Sequence, residues 1–447
     1  MNPHVKEARL TLALAFPIII GQVSQMLMGV TDSVMIGRLG TVPLAASAFA
    51  SGVFSVFFVI GIGLLLPVAV LASREHGAGN DSAGAVWLKH GVVLAVLASV
   101  ACLGLMLGMS MGFDFIGQPP EVVAAAKPFY ALIAVSLLPA LVFQAFRQFA
   151  EALGRPWVPM AIMLGCVVLN AVLNWIFIHG HLGAPALGLA GAGWATLVSR
   201  VVSLVVIIAW MSRADSFRAA WPTTWLRQLS ATRFLEMLRI GVPAAFMLMF
   251  EVGAFIMAAL MMGWLGANAL AAHQIALSCA GFMFMFPLGL SMAVGMRVGK
   301  AVGEGRTDRL RSIVFGALVM SCVVMSVSAT GFAFGGTTLA AGFVKDSETI
   351  ALAAQLLVVA AIFQLFDGAQ VIGSGALRGL TDVRVPAAIS FVAYWLLAIP
   401  GGYALGLHTS LGAVGIWIGL AAGLAIASVL LIARFVRLTK RGQQVTY

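Results

Sequence analysis

Apolar runs of about 20 residues or more, the length one bilayer crossing requires, follow one another along the whole chain and are separated by short breaks rich in charge, Gly and Pro. Apolar runs bounded by charge, Gly or Pro predict segments near 10–37, 43–71, 86–111, 122–146, 157–178 and 187–211. Six more follow near 234–262, 269–296, 312–336, 350–376, 386–406 and 412–433. The strict apolar–polar alternation of a membrane β-strand is missing, so an outer-membrane barrel is excluded. The pattern predicts an all-α polytopic membrane protein with twelve transmembrane helices.

Composition agrees and removes other classes. Of 447 residues, 61% are apolar and 9% charged, whereas about a quarter of an ordinary soluble domain is charged. The net charge of +10 raises the question of nucleic acid, but the 26 Lys and Arg are spread over short loops and form no stripe, so no nucleic-acid partner is expected. Sorted by loop, 22 fall on one side and three, Arg38, Lys127 and Lys345, on the other, with Arg200 left inside a span. The positive-inside rule then predicts that both termini are cytoplasmic. Lys6 and Arg9 precede an apolar stretch reaching about Gly37, too long for the h-region of a signal peptide, so it is read as a retained first span. The cysteines, Cys102, Cys166, Cys279 and Cys322, lie inside apolar runs without CxxC spacing. Neither a zinc site nor a disulfide framework is indicated.

The chain also repeats itself. A shift of 226 places Pro17 on Pro243 and the segment LGTVPLAASAFA (39–50) on LGANALAAHQIA (265–276). The same shift places Gly63 on Gly289, Arg74 on Lys300, Gly77 on Gly303 and Gly79 on Gly305, and a shift of 227 carries Pro159 to Pro386. Further on, Gly188, Gly191 and Trp194 answer Gly412, Gly415 and Trp417 at offsets of 224 and 223. Two copies of six spans keep one orientation, because an even number of crossings returns the chain to its starting side. They predict two pseudo-symmetric six-helix lobes related by an axis along the membrane normal, around a central cavity. The division expected is an N-lobe of 1–211, a basic cytoplasmic linker of 212–233 and a C-lobe of 234–447.

Three of the 16 acidic residues stand away from predicted loops: Asp32 in span 1, Glu251 in span 7 and Asp367 in span 10. A central carboxylate costs about 2.5 to 3.5 kcal/mol on insertion scales, so each is expected to face a cavity or a partner. Gln22, Gln25, Gly29 and Asp32 follow helical spacing and make one polar face, and Gln364, Asp367, Gln370 and Ser374 make another. Glu251 stands nearly alone among Met247, Phe250 and Phe255. Each acid is a candidate cation or substrate site; the competing reading is a carboxylate satisfied by a neighbouring helix. Asn170 and Asn174, one turn apart in span 5, have amide oxygens suited to a hard cation, or else bond across helices. Arg200 is read as a counter-ion for Asp32 or another acid, as a snorkelling residue, or as part of the transport path. Aromatic and Met residues cluster at Phe282–Phe286 and at Phe143 and Phe146, which suits either packing or a pocket for flat cations.

The segments PIIIGQVSQMLMGVTD (17–32) and QLFDGAQVIGSGALRGLTDVRVP (364–386), the repeated GxLGxxxLAA type and Glu251 in span 7 resemble the multidrug and toxic compound extrusion (MATE) transporters, in their NorM-type branch. The resemblance covers nearly the whole chain. It implies a secondary antiporter, multi-pass in the bacterial inner membrane, that exports cationic amphipathic drugs and dyes in exchange for Na+ or H+ by alternating access. It also implies that Asp32, Glu251 and Asp367 couple cation to substrate, that Asn170, Asn174 and Thr196 support the cation site, and that Gln25 and Gln364 add polar surface. Na+ is expected at Asp32, Asn170 and Asn174, or at Glu251 and Asp367. Some relatives carry an acid where this chain has Asn174. Small organic cations and membrane lipid are the partners expected, with no cofactor and a monomeric state. The alternative is a lipid-linked precursor flippase of the same superfamily, which would hold a pyrophosphate with several basic residues; here one mid-membrane Arg stands against three acids. An intramembrane enzyme is disfavoured, because no HExxH or GxSxG motif occurs.

Overall fold

The computed structural model describes residues 3–115, 117, 119–222, 224, 225, 227 and 229–440. Among them twelve helices are long and apolar enough to cross a membrane, one for each predicted segment. They are α1 (Lys6–Gly37), α2 (Thr41–Gly77), α3 (Asp81–Ser110), α4 (Pro120–Ala152), α5 (Trp157–His179), α6 (Leu189–Arg213), α7 (Ala231–Leu265), α8 (Ala267–Gly303), α9 (Thr307–Ala341), α10 (Ser347–Gly379), α11 (Arg384–Leu407) and α12 (Gly412–Leu438). No strand occurs among the described residues. Lipid leaves no alternative for an open chain, because a backbone polar group without a partner costs several kcal/mol there and a helix satisfies its own. Of the predicted linker, Thr223, Leu226 and Gln228 lie outside the described residues, as does Arg441 in the basic C-terminal stretch.

The repeat is written in the backbone as well as the sequence. Positive φ recurs at Gly40 (124°) and Gly266 (118°), at Gly79 (75°) and Gly305 (69°), and at Gly188 (55°) and Gly412 (53°). The 227 offset also pairs Gly154 (76°) with Thr381 (60°), so the second copy forces a β-branched residue into the left-handed region. Thr381 is held there by its N–H donating to the Arg378 carbonyl at 2.8 Å and the following Asp382 N–H donating to the Leu377 carbonyl at 2.9 Å.

Packing divides the chain into two compact units, one of Ile20–Ala245 and one of Met1–Ile19 with Phe246–Tyr447. The divisions fall inside α1 and α7, whereas the sequence repeat places the division in the segment 212–233. Both cuts come just after a proline inside the helix, Pro17 in α1 and Pro243 in α7. Proline has no N–H to bond the preceding turn and its ring crowds that turn's carbonyl. The two parts of each helix are therefore free to pack separately. In the unit Ile20–Ala245, a Cβ on Gly63 of α2 would collide with the backbone of Ala245. The repeat-equivalent Gly289 of α8 meets Ile19 in the other unit. Glycine at these two positions lets helix backbones touch.

Within Ile20–Ala245, the segment after α6 is clasped to α3 and α4. Lys89 Nζ donates to the Arg227 carbonyl at 2.7 Å, and the Ser230 N–H donates to His90 Nε2 at 3.0 Å. Trp221 and Trp225 lie against Phe146. In the other unit Glu7 of α1 accepts from Arg297 and Arg309, and Arg297 also donates to the Thr11 hydroxyl and the Glu7 carbonyl. Its core gathers Met261, Leu356, Phe363, Trp417 and Leu424.

Among the described residues, the helices of α4 and α11 are interrupted. The helix of α4 breaks at Ser136, three residues before Pro139, which has no N–H to donate to the Val135 carbonyl and whose ring crowds that carbonyl. In α11 the residues Val392–Ala398 form a π-helix, just before Pro400.

Candidate functional site

A cavity of about 360 Å³ opens within the unit Ile20–Ala245. Its polar wall is Gln25 and Asp32 from α1, Thr196 and Arg200 from α6, with hydroxyls of Ser24, Ser51, Ser55 and Ser203; Phe54, Phe58, Phe129 and Phe143 supply aromatic faces. The helical spacing of Gln25, Gly29 and Asp32 brings all three to this wall. Gln22, predicted on the same face, is diverted: its Oε1 accepts from Arg147 Nη2 at 2.7 Å.

Behind the wall stands the amide pair of α5. Asn174 Nδ2 donates to Asp32 Oδ1 at 2.6 Å and to Asn170 Oδ1 at 3.1 Å. Both asparagines are fully buried, as Thr196 is nearly so. Their spacing of four residues on one helix stacks them on the face turned to α1. Asn170, Thr196 and Arg200 all bear electrostatically on Asp32. The structure thus assembles Asp32, Asn170, Asn174, Thr196 and Gln25 in one place. Asn174 Oδ1 and Asn170 Nδ2 are buried without a hydrogen-bond partner. Such atoms are costly to leave unpaired, and they mark the pair as a polar site with capacity to spare.

Arg200 makes one hydrogen bond and lies against two aromatic rings. Its Nη1 donates to Ser136 Oγ at 2.7 Å, at the break in α4. Its guanidinium carbon lies 4.7 Å from the Phe54 ring centroid and 5.8 Å from that of Phe58. It is attracted to Asp32.

The unit Met1–Ile19 with Phe246–Tyr447 gathers a second polar group. Asp367 and Gln364 of α10 are buried, and Glu251 of α7 is close enough to Asp367 for the two carboxyls to repel. Gln364 is tied to α9: its Oε1 accepts from Ser328 Oγ at 3.1 Å and its Nε2 donates to the Met325 carbonyl at 3.3 Å. It is thereby a brace for α10 beside Asp367. Gln370 Oε1 and Ser374 Oγ, on the predicted polar face, are buried without partners.

Sequence reasoning missed Tyr394 here. It sits in the π-helical stretch of α11, is 1% exposed, has no partner for its hydroxyl and feels both Glu251 and Asp367. Its neighbour Trp395 fixes the register, donating its indole N–H to the Phe250 carbonyl at 3.2 Å, one residue before Glu251. The signal available in the sequence is Pro400, within α11 and just after the π-helical stretch.

A second omission is a charge pair. Ending span 4 at residue 146 sorted Arg147 and Glu151 to a loop, but α4 continues to Ala152 and both side chains are buried. Arg147 Nε donates to Glu151 Oε1 at 2.9 Å and Nη1 to Met163 Sδ at 3.1 Å. The i,i+4 spacing was the available signal. The aromatic clusters divide too: Phe143 lines the cavity, Phe146 packs on the linker tryptophans, and Phe282 is half exposed. Among the described residues no group of three or more His, Cys, Asp or Glu is arranged to hold a metal ion. Any cation held here would rely on a single carboxylate or a carboxylate pair supplemented by amide and hydroxyl oxygens.

Twelve helices long and apolar enough to cross a membrane and an internal repeat, with a polar-lined cavity in the unit Ile20–Ala245, are the architecture of a multi-pass membrane protein. The MatE family matches residues 17–176 and 243–404, one stretch in each copy of the repeat. The "Probable multidrug resistance protein NorM" of Bradyrhizobium diazoefficiens is 36% identical over 438 residues, covering 96% of this chain and 93% of that protein. The "Multidrug resistance protein MdtK" of Yersinia pestis (strain Pestoides F) is 34% identical over 456 residues, covering 99% and 98%. Among solved structures, a Vibrio cholerae MATE transporter has a TM-score of 0.89 at 21% identity, with 100% of this chain and 99% of that chain covered. The chain belongs to the MatE family, in its NorM-type branch, whose members are transporters rather than enzymes.

Proposed function

We propose that the protein is a secondary multidrug antiporter that exports amphipathic organic cations in exchange for Na+ or H+ by alternating access. Asp32, Glu251 and Asp367 are the acids at which the two ligands exchange. The observation that carries this reading is Asp32 in the wall of a cavity, bonded to a buried amide rather than to a salt-bridge partner alone. An acid so placed is satisfied by one positive ligand at a time. Drug and coupling ion then exclude each other, and that exclusion is the coupling. The membrane potential assists, since each charge moved across 100 mV supplies about 2.3 kcal/mol.

Asn174 now turns its N–H2 towards Asp32 and Asn170. A half turn of that amide would present Oδ1, the atom without a partner, to a cation held between Asp32 and Asn170, with the Thr196 hydroxyl close by. A proton on Asp32 needs no such turn. Charge sorting supports cytoplasmic termini in a bacterial inner membrane. A flippase handling a pyrophosphate is the weaker reading, because the cavity wall carries one guanidinium and one carboxylate where a dianion calls for several bases.

The test is dye efflux from proteoliposomes with Na+ and pH gradients imposed separately. Asp32→Asn is expected to abolish ion-driven efflux at normal expression, and Glu251→Gln and Asp367→Asn to reduce it. Full efflux by Asp32→Asn would overturn the assignment, and efflux driven by a pH gradient without Na+ would exclude obligatory Na+ coupling.

A further inference from the structure

The turn after α5 brings two imidazoles together. His179 is the last residue of α5, and His181 follows across Gly180, which has φ 76° and ψ 37°. On a continuing helix, residues two apart point about 200° away from each other, so such a pair would diverge. The left-handed Gly180 folds the chain back, and the ring centroids of His179 and His181 lie 6.0 Å apart with 48° between their planes. Glycine suits this position twice over, because a Cβ there would also come within 2.8 Å of the Ala186 nitrogen. His181 lies flat on Trp175, with 4.1 Å between centroids, a contact that uses the ring face and leaves the nitrogens at the edge. Among the described residues neither imidazole makes a hydrogen bond. The surroundings accept a cation. No Lys or Arg occurs from 157 to 199, and the carbonyl end of a helix favours positive charge.

We propose that His179 and His181 form a two-imidazole site for a divalent transition-metal ion, of the chemistry shared by Cu2+, Ni2+ and Zn2+. An imidazole nitrogen binds such an ion at about 2.0 to 2.1 Å, which places two ligating rings about 5 to 6 Å apart between centroids. The observed 6.0 Å lies at the edge of that range, within reach of side-chain rotation. No third His, Cys, Asp or Glu joins the pair among the described residues, so the other coordination positions fall to water or to an outside ligand, and the ion exchanges readily. Imidazole without carboxylate selects against Mg2+ and Ca2+, which take oxygen ligands, and the order among first-row ions puts Cu2+ above Ni2+ and Zn2+. A bound ion ties the end of α5, the helix that carries Asn170 and Asn174, to the turn leading into α6. The other copy of the repeat holds a natural control. The 227 offset carries His181 to His408 and His179 to Gly406. His408 lies beside Tyr403, with 5.2 Å between centroids, and lacks the second imidazole.

The full-length protein, freed of any affinity tag and stripped with EDTA, is titrated with Cu2+, Zn2+ or Mg2+ and followed by calorimetry and by tryptophan fluorescence. One Cu2+ is expected per chain, bound more tightly than Zn2+, with no Mg2+ bound. Cu2+ should quench part of the emission, and Trp175→Phe should remove the saturable part. His179→Gln and His181→Gln, at positions that are exposed or half-buried and so tolerant of exchange, should each weaken Cu2+ about tenfold, about 1.4 kcal/mol. His408→Gln should leave the affinity unchanged. A wild type without saturable Cu2+ binding would overturn the proposal. So would an affinity untouched by both His179→Gln and His181→Gln, an equal loss in His408→Gln, or a saturable quench that persists in Trp175→Phe, each of which places the ion elsewhere. No efflux is read, so the outcome stands apart from the antiport reading.

Discussion

Glu151→Gln should destabilise the protein far more than replacing both members of its charge pair. Arg147 and Glu151 are 1% and 3% exposed, and Arg147 donates to three acceptors: the Glu151 carboxylate at 2.9 Å, the Gln22 amide oxygen at 2.7 Å and the Met163 thioether at 3.1 Å. At an effective dielectric of 20 and about 4 Å between charge centres, the Coulomb attraction is about 4 kcal/mol. The Gln variant keeps an acceptor of the same shape but removes the countercharge, leaving a buried guanidinium with two neutral amide oxygens and one weak sulfur acceptor. The expected cost is about 3 to 5 kcal/mol, the range for breaking a buried pair. The double variant Arg147→Met, Glu151→Leu removes both desolvated charges and the unpaired Glu151 Oε2, and should lie within about 2 kcal/mol of the wild type. Glu151→Leu, Arg147→Met and the double variant form a cycle read by thermal unfolding in detergent, with size exclusion to confirm the monodisperse state. A coupling of about 3 kcal/mol is expected. Additive single substitutions would refute the reasoning and show that the pair is solvated.

Two further outcomes follow from local geometry. Thr381→Gly should raise stability by about 1 kcal/mol, the lower end of the cost of a left-handed backbone for a residue with a Cβ, whereas a lowered thermal midpoint would mean that the Thr381 side chain contributes more than its backbone costs. Asp346 caps α10, accepting from the Thr349 hydroxyl at 2.7 Å and the Thr349 N–H at 2.8 Å, and these bonds hold its carboxyl below the ordinary 3.8. A carboxyl held low stabilises the folded state above its ordinary value and loses that contribution as pH falls through the lowered one. Hydrogen exchange in the first turn of α10 should therefore quicken below about pH 4 in the wild type and be fast at all pH values in Asp346→Ala; a flat wild-type profile would refute the cap.

Much of the site was legible because lipid makes charge conspicuous. Asp32, Glu251 and Asp367 stood out as acids inside apolar runs, and periodicity put Gln25 and Asp32 on one face. Asn170 and Asn174 announced themselves by their spacing, although only the fold turned that face to Asp32. Reading failed where a run was ended at a charge. Arg147 and Glu151 were sorted to a loop because a charge at the edge of an apolar stretch looks solvated, and only packing against Gln22 and Met163 shows that it is not. Tyr394 was invisible because a tyrosine in a helix carries no mark of its neighbours.

The sequence by itself determined the number of crossings, the helical class, the repeat, and the embedding of three acids. Each follows from one-dimensional quantities: run length against bilayer thickness, and the cost of an unpaired charge in hydrocarbon. The tertiary structure alone decided which parts of α1 and α7 pack with which unit, that the break at Ser136 meets Arg200, and that Arg200 shares a cavity with Asp32. Those depend on where helices bend and which faces meet, and proline and glycine permit such contacts without naming the partner.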